Sequence, residues 1–97
     1  MDTRGTGATL AQARPNPFHT QTGIRYVLPR AERVEIGIYD VSGRLVRTLV
    51  DAVVPAGVHE AVWAGRDESG RRVPPGVFLY RLRAGNTAQT RRLVFLK

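Results

Sequence analysis

Residues that break regular structure recur roughly every 10 residues from Arg14 onward, at Pro15-Asn16-Pro17, Pro29, Ser42-Gly43, Pro55-Ala56-Gly57, Ser69-Gly70, Pro74-Pro75-Gly76 and Gly85-Asn86. That interval suits strands and leaves little room for helices. The intervening runs, such as 23–28, 34–39 and 45–50, are rich in β-branched and aromatic residues. Val34, Ile36 and Ile38 alternate with Glu35, Gly37 and Tyr39, as in a strand with one face in a core. Phe78, Tyr80 and Leu82, then Leu93 and Phe95, repeat that alternation.

The segment Leu45–Val54 is ambiguous, since Leu45, Val46, Leu49, Val50 and Val53 also satisfy a three-to-four-residue repeat. The preceding turn decides for a strand. In Asp40-Val41-Ser42-Gly43 the aspartate can accept local backbone N–H bonds and the glycine can take positive φ. Such a turn connects a hairpin, so Ile36–Asp40 is predicted to fold back on Arg44–Leu49. Asp67-Glu68-Ser69-Gly70-Arg71 repeats the pattern. It predicts a second hairpin, between Ala61–Trp63 and Val73 or the strand beyond.

About seven strands without helical crossovers predict an all-β, Ig-like antiparallel sandwich. A chain of 97 residues without cysteine must stabilise one core by packing alone. The predicted inward side chains are Ile24, Tyr26, Leu28, Val34, Ile36, Ile38, Leu45, Val46, Leu49, Trp63, Phe78, Tyr80, Leu82, Leu93 and Phe95. Residues 1–13 are small, polar and unpatterned over most of their length, and read as a flexible linker ahead of a domain spanning 14–97. They contain no apolar signal-peptide region, so an export signal is expected upstream in a longer parent. No run approaches the ~20 apolar residues of a membrane helix.

No constellation in the chain carries an enzyme signature. Ser42 and Ser69 belong to turns, and His19 and His59 lack a metal spacing or a triad partner. Asp40, Asp51, Asp67 and Glu68 do not form a calcium loop. Neither a metal nor a cofactor is expected. The net charge of +7, arginine in all but one of its 15 basic residues, invites a nucleic-acid reading. The arginines are dispersed, though a sheet can bring Arg25, Arg81, Arg83, Arg91 and Arg92 onto one face. Phe78 and Tyr80 are better used in the core than in stacking bases, so specific nucleic-acid binding is not expected.

Taken in order, Asn16-Pro17-Phe18, Thr22-x-Ile24-x-Tyr26-x-Leu28-Pro29, the run from Val34 through Asp40-x-x-Gly43-Arg44 to Val50, Trp63-x-Gly65-Arg66-Asp67-x-x-Gly70, Gly76-Val77-Phe78-x-Tyr80-Arg81-Leu82 and Thr90–Lys97 resemble a known family. It is the carboxy-terminal sorting domain (type A) of type IX secretion cargo, overlapping with the Ig-like domain of the flagellar hook-capping protein. The resemblance covers about Arg14 to Lys97. His19 and Ala64 depart from it, standing where the family usually has Asn and an acidic residue.

The resemblance implies a non-catalytic module at the end of a larger secreted bacterial protein, directing sorting and attachment to the outer cell surface. Its implied partners are outer-membrane secretion proteins and a sortase-like peptidase. The recognition residues it implies are Asp40, Gly43 and Arg44 in one turn, Arg66, Asp67 and Gly70 in the other, and Leu93, Val94, Phe95, Leu96 and Lys97 in the final strand. An Ig-like edge strand offers unpaired N–H and C=O groups to which a receptor can add a strand. The alternative is a structural spacer or assembly domain, as in the hook-capping protein.

Overall fold

Alternation and tight turns produce seven strands in a computed structural model that describes residues 7–97: β1 (Thr9–Leu10), β2 (Thr22–Leu28), β3 (Glu32–Asp40), β4 (Leu45–Val54), β5 (Gly57–Trp63), β6 (Gly76–Ala84) and β7 (Thr87–Phe95). There is no helix among the described residues. Two antiparallel sheets form, one ordered β1-β2-β5 and the other β4-β3-β6-β7. The chain passes between them after β2, β4 and β5. This is the Ig-like β-sandwich expected from the strand pattern.

The inner faces meet in a core that includes Phe18, Ile24, Leu28, Val34, Ile36, Ile38, Trp63, Tyr80, Leu82, Leu93 and Phe95, each buried. Phe18 stacks on Phe95 at 4.9 Å between centroids, and both meet the Trp63 ring edgewise. Apolar burial of this extent supplies the stabilisation that disulfides provide in other small domains.

β4 departs from simple alternation for a visible reason. Its ladder with β3 pairs Ile36 with Val50 but Gly37 with Thr48, and Ile38 with Arg47 but Tyr39 with Leu45. Leu49 and Val46 are therefore extra residues on β4, two bulges that turn the strand. Val46 and Leu49 pack against the core as predicted and Val50, outside the predicted set, joins them, whereas Leu45 is 50% exposed and not inward.

The predicted linker also needs correction. Residues 1–6 lie outside the described ones, but β1 pairs with β2, and Ala8, Leu10 and Ala13 are buried in the core. The fold begins before Arg14. The cause lies at distant residues: the buried Tyr80 hydroxyl donates to Ala11 O and accepts from Ala13 N–H, both at 2.8 Å. Gln89 and Arg91 add side-chain bonds to the backbone of Ala8 and Leu10.

The five arginines do not share one face. Arg81 and Arg83 on β6 and Arg92 on β7 point out from the four-stranded sheet, Arg25 lies on the other sheet, and Arg91 bonds back to Leu10 O.

Candidate functional site at the turn end of the sandwich

Two local turns of the same construction meet at one end of the molecule. Asp40 Oδ1 accepts from Ser42 N–H (3.0 Å), Ser42 Oγ (2.6 Å) and Arg44 N–H (3.0 Å). Asp67 Oδ1 accepts from Ser69 N–H (3.0 Å), Ser69 Oγ (2.7 Å) and Arg71 N–H (3.0 Å). Each turn is closed by a glycine N–H donating to the aspartate carbonyl at 2.9 Å. Gly43 and Gly70 lie at φ of 90° and 89°, a conformation that a Cβ disfavours.

Both carboxyls are held below the ordinary aspartate range. The main cause is the serine hydroxyl, followed by the arginine amide two residues further on, with a smaller contribution from the arginine charge. Their negative charge is spent on the turn, while the Arg44 guanidinium makes only a 3.4 Å contact with Asp40 and projects into solvent.

The second turn does not join Ala61–Trp63 to Val73 as predicted. β5 pairs with β2, and the turn closes a miniature hairpin in which Arg66 faces Arg72 and Val73 N–H donates to Gly65 O. Within it Arg66 Nη1 donates to Gly70 O, and Trp63 Nε1 donates to Arg66 O. Tertiary contacts then tie the turn to β4. Glu68 N–H donates to Val46 O at 3.0 Å, and Arg47 Nη1 to Asp67 O at 2.7 Å.

Between the turns lies a groove of about 900 Å³ with Phe78 among its lining residues. Its apolar walls are Val41, Leu45, Val73, Pro74, Pro75 and Val77. Val41 is 73% exposed although it stands inside a tight turn. Of the residues singled out from sequence, Asp40, Arg44 and Asp67 line this groove. Gly43 and Gly70 shape the turns behind it, and Arg66 braces the second one.

The final strand is placed differently. Leu93 and Phe95 are core residues, Val94 is half-buried, and Leu96 and Lys97 are exposed. None of the five is among the groove's lining residues. The outer edge of this segment is already occupied, since Asn16–Phe18 runs beside it in parallel. Phe18 N–H donates to Val94 O (3.0 Å) and Leu96 N–H to Phe18 O (2.8 Å). Asn16 completes the seal, its Oδ1 accepting from Val94 N–H (2.9 Å) and its Nδ2 donating to Arg92 O (3.1 Å). Strand addition at this edge would require displacing that strap.

Sequence reasoning missed both the apolar groove and the strap. The signals present were a valine in an Asp-Val-Ser-Gly turn, the Pro74-Pro75 pair, and the Asn16-Pro17-Phe18 run ahead of β2. The histidines are apart from the groove: His59 Nε2 contacts Pro55 O at 2.8 Å, and His19 Nδ1 contacts Lys97 O at 3.1 Å. No group of three or more metal-ligating side chains occurs among the described residues.

Comparison with known proteins gives a consistent picture. The family described as "FlgD Ig-like domain" matches residues 18–89. The basal-body rod modification protein FlgD of Salmonella typhimurium is 37% identical over 67 residues, covering 69% of this chain and 28% of that protein, and FlgD of Salmonella typhi gives the same figures. The matched region thus spans little more than a quarter of those relatives. FlgD from P. aeruginosa superposes with a TM-score of 0.60 at 25% identity, covering 76% of this chain and 58% of that one.

Dimeric latent PorU from Porphyromonas gingivalis gives a TM-score of 0.77 at 24% identity, over 92% of this chain and 9% of that one. PorZ of Porphyromonas gingivalis, described as an essential bacterial surface component of the type-IX secretion system, gives 0.61 at 19% identity, over 97% of this chain and 13% of that one. At these identities the last two likenesses establish the fold.

Proposed function

The chain belongs to the FlgD Ig-like domain family, and from that premise we propose that it is a non-catalytic docking module of a larger bacterial protein, serving in sorting and cell-surface attachment through type IX secretion. The observation that carries the docking role is the convergence of the two aspartate turns on one apolar groove. Turns saturated internally are rigid, and a rigid apolar concavity beside the projecting Arg44 guanidinium suits recognition by another protein. The ordered motifs from Asn16 to Lys97, together with the fold shared with PorU and PorZ, support the sorting role. Outer-membrane secretion proteins and a sortase-like peptidase are the partners in this proposal, and the outer surface is the destination.

The test is fusion of the whole chain to an exported reporter in a type IX-competent bacterium. Surface display is expected, and its loss is expected when Val41, Leu45 and Val77 are changed together to serine. Periplasmic retention equal to that of the reporter alone refutes the sorting role. The 37% identity to FlgD favours a second reading, an assembly domain within a larger structural protein. Replacing the matching part of Salmonella FlgD with this chain separates the two. Restored swimming supports assembly, whereas failure to swim combined with surface display of the reporter supports sorting.

A further inference from the structure

The two sheets have four edges, and the chain closes three of them at least in part. β1 is closed by side chains of β7: Leu10 N–H donates to Gln89 Oε1 (3.1 Å), Gln89 Nε2 to Ala8 O (3.0 Å) and Arg91 Nε to Leu10 O (2.9 Å). The carboxy-terminal half of β7 is closed by Asn16–Phe18. β4 is closed at Val46 and Thr48 by Glu68 and is turned by its two bulges. β5 differs, because its seven residues lie in register with β2 on one side and, among the described residues, its backbone has no hydrogen bond on the other.

The register shows which groups face outward. Arg14 and Gly23 exchange both backbone bonds, and Ala11 N–H donates to Arg25 O, so the backbones of Gly23 and Arg25 point away from β5. Their β2 neighbours Ile24 and Tyr26 therefore bond toward β5, engaging Ala61 and His59. The N–H and C=O groups of Val58, Glu60 and Val62 consequently point from the open edge. Their side chains also lie on the outer face, with Val58 63% and Val62 48% exposed, and Val27 beside Val58. Glu60 stands between the two valines; its carboxylate leans over Gly23 of β2, with Arg25 opposite it in register, but it forms no ion pair among the described residues, so it must swing toward the open edge to meet a cation there.

We propose that β5 is a strand-addition site for an extended segment of another protein that presents apolar, cationic and apolar side chains at alternate positions. The paired apolar residues would cover Val58 and Val62, and the cation would face Glu60, as favourable cross-strand pairs require. The same carboxylate selects against a second copy of this chain. A two-fold antiparallel pairing centred on Glu60 would set like charges opposite each other, and neighbouring registers would set the carboxylate against valine. This site is distinct from the groove and stands whichever reading of the groove holds.

The probe is the acetylated, amidated peptide Thr-Val-Thr-Lys-Thr-Val-Thr, titrated into the 15N-labelled full chain, with the Glu-for-Lys peptide as its counterpart. Slowed amide exchange at Val58, Glu60 and Val62 is expected, with the Lys peptide binding about 5-fold more tightly than the Glu peptide. Glu60→Lys should reverse that preference. Val62→Pro, which removes an outward N–H that β2 does not use, should abolish binding while the other strands keep their dispersion. The proposal is overturned by protection appearing at β4 or β7 instead, by no response at millimolar peptide, or by self-association of the chain through β5. If Val62→Pro disrupts folding, the Glu60→Lys exchange of preference decides, and its absence refutes the site.

Discussion

Replacing Tyr80 by phenylalanine tests whether Gly7–Ala13 is part of the folded unit. The Tyr80 ring is fully buried on β6, and its hydroxyl bonds at once to Ala11 O and Ala13 N–H. Removing the oxygen leaves the ring packing unchanged. Ala11 is exposed, so its carbonyl recovers water at little cost, but Ala13 is 1% exposed and its N–H is left without a partner. An orphaned buried donor costs about 1–3 kcal/mol. We therefore expect a loss of about 2 kcal/mol, equivalent to a drop in Tm of about 8–16 °C for a domain of this size.

Urea unfolding followed through Trp63 fluorescence should show a lower midpoint at unchanged slope, with faster amide exchange concentrated at Leu10 and Ala13. A loss under about 0.5 kcal/mol at unchanged slope would refute the role given to these bonds. The same hydroxyl supplies a pH signature. Burial raises its pKa, outweighing the opposing effects of the Ala13 amide and the Arg91 charge. Because the folded form holds the proton more tightly, this stabilisation is complete below the unfolded tyrosine pKa of about 10 and is lost as pH rises through the folded value. Tyr80→Phe should flatten that alkaline decline, leaving the part due to Tyr26, whose pKa burial also raises.

Asn16→Ala removes both side-chain bonds that seal β7 and should cost about 1 kcal/mol, with Val94 amide exchange accelerating more than that of β3. Gly65→Ala should destabilise by about 1–3 kcal/mol in thermal unfolding, because φ there is 71° and a Cβ would fall 2.8 Å from the Phe95 ring. The two turn aspartates have depressed pKa values, so their contribution is present above the unfolded aspartate pKa of about 4 and is lost as pH falls through the folded values. Acid titration of the Asp40→Asn, Asp67→Asn double variant should therefore show a shallower decline than the unsubstituted chain.

What could be read without coordinates was local. The Asp-x-Ser-Gly turns bond within four residues, so their geometry travels with the letters, and the alternation of β3 and β6 states directly which side chains are inward. The Asp40–Arg44 hairpin and the two-layer fold follow from that grammar. Even β4's mixed periodicity held information, since residues spaced by three and four are what two bulges at Val46 and Leu49 produce in a strand. Taken alone it identified neither the bulges nor the outward position of Leu45.

The order of residues by itself therefore determined the strands, the tight turns and most of the core, because each is encoded by neighbours a few positions apart. Only the tertiary structure decided which edges are closed and where the turns meet. The strap from Asn16 to Phe18 depends on carbonyls and amides 76 to 78 positions away, and the anchoring of Ala11 and Ala13 depends on a hydroxyl 67 to 69 positions away. The short polar stretch before Arg14 looks like a linker because the groups that hold it reside on β6 and β7. A chain segment's fate in a sandwich is set by the backbone bonds that remain unfilled after the strands have paired, and that remainder exists only once distant strands lie side by side.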